Sequence, residues 1–123
     1  MRTTYNKLIR DRIPEIITES GSLFHVELLE ERAYRQALAT KLVEEAQEFE
    51  EVVTGNDQAK QDGLMRELAD LREVIDALMV TYGLDEKELL ALQGRRRAER
   101  GGFEKRLKLL WVEKPRPPGT TNN

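Results

Sequence analysis

Two acidic pairs stand on consecutive stretches of this chain: Glu45 and Glu48, preceded by Glu44, and then Glu67 and Asp70. Each pair has i,i+3 spacing, so on a helix its two carboxylates share one face, with Cβ atoms roughly 5–6 Å apart. If the two helices pack antiparallel, four carboxylates converge. Converging carboxylates repel one another unless a hard cation neutralises them, and all-oxygen ligands suit Mg²⁺, with Mn²⁺ as the alternative. The most direct use of such a metal is phosphate chemistry. The plain alternative is a solvated acidic helix face. Two features weigh against it. The acids border the apolar positions: Leu42, Glu45, Phe49 and Val52 make a helical row as well as Leu42, Ala46, Phe49 and Val53 do. At i+4, Glu44 faces Glu48 and Glu67 faces Leu71, so the acids lack a full set of basic partners. A di-iron carboxylate site is disfavoured because it calls for Glu-x-x-His pairs, and neither stretch carries histidine.

A second candidate is basic. Arg95-Arg96-Arg97-Ala98-Glu99-Arg100 runs into Gly101-Gly102-Phe103. Arginine forks match phosphate oxygens, and glycine lets backbone come close to a ligand. The competing reading is a helix C-terminus whose cations offset its dipole before a glycine stop. Lys7 and Arg10, one turn apart, could also reach an anion. Trp111 and Phe103 are expected to be packing residues, and the only histidine, His25, is expected to have no catalytic role.

These groups need elements to hold them. Pro14 suits the first turn of a short helix running towards Ser20 and stopped by Gly21. Leu23 to Leu28 alternates in part and reads as a short strand. From about Glu31 to Val53 apolar residues recur at three- and four-residue steps. Thr54-Gly55-Asn56-Asp57 interrupts the pattern, and Asn56 or Asp57 can cap the next helix. Leu64, Leu68, Leu71, Ile75, Leu78 and Tyr82 form the stripe of that helix, with Gly83 as its C′ residue. Asp85 and Glu88 resemble a capping box ahead of a helix running towards Arg97 and ended by Gly101-Gly102. Lys108 to Val112 reads as a second short strand, paired with the first. The expected fold is all-α: a bundle of three long helices plus a short one, with a minor two-stranded β-ribbon. Residues 1–114 form the domain, and the polar, proline-rich residues 115–123 form a disordered tail.

Composition narrows the function. At 123 residues the chain has room for one modest core. A net charge of -3 gives no global argument for nucleic acid. With no cysteine, a thiol nucleophile, a disulfide and a zinc-thiolate site are excluded. No apolar run approaches membrane-spanning length, and the reading is a cytoplasmic protein with no membrane partner.

Taken together, the motifs resemble those of the all-α nucleoside triphosphate pyrophosphohydrolase superfamily, which includes MazG and phosphoribosyl-ATP pyrophosphohydrolase. Its mark, Glu-x-x-Glu on one helix and Glu-x-x-Asp on the next, falls here on Glu45/Glu48 and Glu67/Asp70. The small MazG-like members open with Tyr-Asn-Lys-Leu-Val-Arg-Asp-Lys-Ile-Pro, similar to Tyr5 to Pro14. They carry Lys-Leu-x-Glu-Glu, matched by Lys41 to Glu45, and Arg-Gly-Gly-Phe, matched by Arg100 to Phe103. The resemblance covers about residues 5–112. It implies Mg²⁺-dependent hydrolysis of a nucleoside triphosphate to a monophosphate and pyrophosphate. It further implies Glu45, Glu48, Glu67 and Asp70 as metal ligands and a homodimer or tetramer as the working unit. On that basis Glu44 or Glu45 would be the water's base, and Lys7, Arg10, Arg96 and Arg100 would hold the outer phosphates. A reading from another class is a non-catalytic nucleotide-binding or oligomerisation module that keeps the acids as a vestigial site.

Overall fold

The computed structural model describes residues 1–55 and 60–119. Four helices follow one another: α1 (Ile13–Glu19), α2 (Glu31–Thr54), α3 (Lys60–Thr81) and α4 (Glu86–Arg100). The all-α expectation is met. The expected Asn56 or Asp57 cap lies outside the described residues.

Local chemistry accounts for the boundaries. Pro14 sits in the first turn of α1, where its missing N–H is no loss. At the far end Gly21 takes φ +80°, its N–H bonds to the Thr18 carbonyl and that of Ser22 bonds to Ile17. α3 ends the same way: Gly83 has φ +62°, its N–H bonds to Val80 and that of Leu84 reaches back to Met79. Both are Schellman closures, which use a left-handed residue that glycine adopts without steric cost. α2 has no glycine or proline from Glu31 to Thr54 and is rich in Ala, Leu, Glu and Gln, all good helix formers.

The chain forms two compact units, Met1–Glu86 and Lys87–Asn123. In the first, α2 and α3 make an antiparallel hairpin. At its open end the Arg35 guanidinium lies over the Tyr82 ring, 4.8 Å from the centroid. At the connected end Gly63 lies against Val52 so closely that a Cβ there would come within 3.2 Å of Val52 Cγ1. Leu38 from α2 and Val74 from α3 are the buried apolar residues among those described. The second unit consists of α4 from Lys87 onward and the segment after it. α4 closes at Gly101, with φ +82° and its N–H on the Arg97 carbonyl.

Two expectations are corrected. Neither Leu23–Leu28 nor Lys108–Val112 forms a strand, so no β-ribbon is seen among the described residues. Short apolar stretches become strands only when another backbone edge takes up their hydrogen bonds. Here Leu23 and Leu28 stand fully exposed and Leu109 to Val112 are largely so. The expected stripe of α3 is met in part: Leu64, Leu71 and Leu78 are half-buried, joined by Glu67 and the buried Val74, whereas Leu68, Ile75 and Tyr82 are exposed. On α2 the inward row is the one through Leu42, Glu45, Phe49 and Val52, with Ala46 and Val53 exposed.

Candidate metal centre

This choice of rows brings the acids together. Glu45 is 6% exposed, the most deeply buried charged residue among those described. Across the hairpin, α3 presents Glu67 and Asp70, both half-buried. One oxygen from each of Glu45, Glu67 and Asp70 falls within 4.8 Å of the others. Glu45 Oε2 and Glu67 Oε2 are buried with no hydrogen-bond partner. A buried carboxylate oxygen left unpaired is costly. Two such oxygens, on residues that both belong to the trio, fit a cation with oxygen coordination.

The electrostatics agree. Burial, followed by the Glu48 charge, raises the Glu45 carboxyl above its ordinary value, with Lys41 opposing. Burial, then the neighbouring Glu48 and Glu45 carboxylates, pushes Glu67 up to about 7. A cluster that binds a proton this readily is short of positive charge, and a divalent ion would supply it.

The other expected site residues fall in different places. Glu48 is exposed, with its carboxylate beside Glu67 rather than within the trio. Glu44 is half-buried and pairs with Lys41 at 3.4 Å, while the same ammonium lies 3.6 Å from Glu45 Oε1. Arg10 donates from Nη2 to Asp70 Oδ1 at 2.6 Å. Lys7 stands over the Tyr5 ring, 5.3 Å from the centroid. Arg96 and Arg100 are exposed on α4, in the second unit. Next to them, Gly102 leaves room for an ion pair between Arg97 and Glu104, so this glycine accommodates an internal contact of its own unit. Phe103 and Trp111, expected to pack, are exposed, as is His25.

Two contacts escape a reading of the sequence alone in different degrees. Lys41 stands one turn before Glu45, and i,i+4 spacing is enough to suggest the pair. The Arg10–Asp70 bond joins residues 60 positions apart, and no local pattern signals it. Beside the trio, an open cavity of about 450 Å³ is lined by Glu48, Val52, Gly63, Arg66 and Glu67 among others.

Comparison of this chain with protein families, with curated proteins and with solved structures finds no match. No described helix is long and apolar enough to cross a membrane.

Proposed function

We propose that this protein is a Mg²⁺-dependent nucleoside triphosphate pyrophosphohydrolase. The observation that carries the reading is the trio of Glu45, Glu67 and Asp70, with two buried, unpartnered carboxylate oxygens across one helix hairpin. The motif resemblance of residues 5–112 supplies the reaction class.

In this reading Glu45, Glu67 and Asp70 hold the ion, and Glu48 completes the set as an acid at the rim. Bound there, the ion would polarise phosphate oxygens and acidify a water molecule. Glu44 lies next in sequence to the trio and outside it, held by Lys41, and it takes the water's proton. The water oxygen bonds to the α-phosphorus, the bond from that phosphorus to the bridging oxygen breaks, and pyrophosphate leaves. Within the unit that holds the trio, Lys7 is the candidate cation for the outer phosphates. The cavity beside Glu67 has the size of a small-ligand cleft, and it is the proposed seat for the rest of the nucleotide.

The test is release of pyrophosphate, not orthophosphate, from a panel of ordinary and modified nucleoside triphosphates with and without Mg²⁺. Glu45→Gln and Asp70→Asn should abolish both turnover and metal binding. Glu44→Gln should lower turnover about 10²-fold or more while metal binding persists. Turnover that survives Glu45→Gln, or no turnover on any substrate by a chain that binds nucleotide and Mg²⁺, rejects the enzyme in favour of a binding module.

A further inference from the structure

Among the described residues, two cations touch the carboxylate cluster. Lys41 comes from α2 itself. Arg10 comes from the irregular segment ahead of α1, flanked by the half-buried Leu8 and Ile9. Its Nη2 lies 2.6 Å from Asp70 Oδ1, with side chains 57% and 30% exposed. An ion pair this open to solvent adds little to stability. Its consequence is geometric. The rotamer of Asp70 that joins Glu45 and Glu67 within 4.8 Å is the one whose oxygen Arg10 holds.

We infer that Arg10 is a positioning residue for the metal centre: docked on Asp70, its guanidinium keeps that carboxylate in the cluster with Glu45 and Glu67. The segment ahead of α1 thereby helps determine affinity for a divalent cation. This rests on the metal-centre reading above, and it gives Arg10 a duty distinct from holding substrate phosphate. A positive charge near a cation also repels it, and the two effects oppose each other. Arg10 is more than half exposed, so the surrounding water weakens its repulsion of the ion. The orienting bond acts on Asp70 by direct contact at 2.6 Å. Partners of ligating carboxylates commonly affect metal affinity by ten- to a hundredfold, so ordering prevails over repulsion.

Mn²⁺ titrated into the full chain, with free ion read by electron paramagnetic resonance, tests this without any turnover assay. Arg10→Ala should raise the Mn²⁺ dissociation constant about tenfold or more. Arg10→Met, which keeps the aliphatic stem and loses the donors, should do the same, and it carries the test if the alanine variant does not fold. Arg10→Lys should recover most of the affinity, and the melting temperature in chelator should stay close to that of the parent. Unchanged or tighter Mn²⁺ binding in the alanine or methionine variant overturns the inference, provided the parent binds Mn²⁺ and Glu67→Gln does not. A parent chain without saturable Mn²⁺ binding, or Glu67→Gln binding as tightly as the parent, overturns the metal centre and this inference with it.

Discussion

At the scale of single residues, Glu67 carries the sharpest consequence. Its carboxyl is pushed up to about 7, from an ordinary value of 4.5, by burial and by the Glu48 and Glu45 carboxylates. Between those two values the folded chain keeps a proton that the unfolded chain has released. The associated stability is therefore complete below the unfolded value and is lost as pH rises through about 7. In chelator, unfolding at pH 5 and pH 8 should differ by at most about 3 kcal/mol, the acidic condition being the more stable. Glu67→Gln should flatten that difference and raise the melting temperature at pH 8 while removing metal binding. A pH-independent melting temperature in the parent would contradict it. Bound metal reverses the sign, because it favours the ionised cluster. The acids of this site can be named from spacing alone, since i,i+3 pairs share a helix face whatever the rest of the fold does. That Glu45 enters the trio while Glu48 stays at the rim is not legible in the sequence. The distinction rests on which of two adjacent rows faces the partner helix.

At the scale of elements, α2 and α3 show why that row is hard to choose. On α2 the sequence offers two overlapping rows, one wholly apolar through Ala46 and Val53 and one interrupted by Glu45, and the packed one is the second. On α3 the apolar arc is wide, spanning both the inward Leu71, Val74 and Leu78 and the exposed Leu68, Ile75 and Tyr82. Periodicity locates such an arc but not its centre. Helix ends are easier, because Gly21, Gly83 and Gly101 take left-handed conformations that mark a stop directly. The two apolar stretches read as strands fail for a different reason: alternation says that a segment can pair and is silent on whether an edge awaits it. Gly63 fixes how closely the hairpin packs at its connected end, where a Cβ would stand 3.2 Å from Val52 Cγ1, tighter than ordinary van der Waals contact. Gly63→Leu should force the helices apart and cost about 1–3 kcal/mol of stability, measured by urea unfolding. It should also weaken metal binding, since Glu67 lies one turn on. Unaltered stability and affinity would show that the close approach has no bearing on the site.

At the scale of the whole molecule, few apolar residues are buried for the chain's length: among those described, only Leu38 and Val74, at 3% and 8% exposed. Leu68 and Ile75 are exposed seven residues apart on α3, with Val43 and Met65 also exposed on the hairpin. Contiguous exposed apolar surface is what a partner protein covers. We propose a second copy of the chain as its cover, in line with the homodimer or tetramer implied by the motif resemblance. Sedimentation equilibrium should report a dimer or larger species. Leu68→Lys combined with Ile75→Lys should dissociate it and lower the melting temperature. A parent chain that sediments as a monomer at micromolar concentration removes the proposal.

Glu45, Glu67 and Asp70 all belong to one hairpin with a single connection, whereas Arg10 must travel from 60 positions away. Closing a short loop sacrifices less chain entropy than closing a long one, and local contacts form sooner. During refolding the anions should therefore crowd together before the guanidinium arrives. That early species would be held back by its own charge. Raising ionic strength should accelerate the first kinetic phase and slow the arrival of the amino-terminal segment, followed separately by a probe at Tyr5.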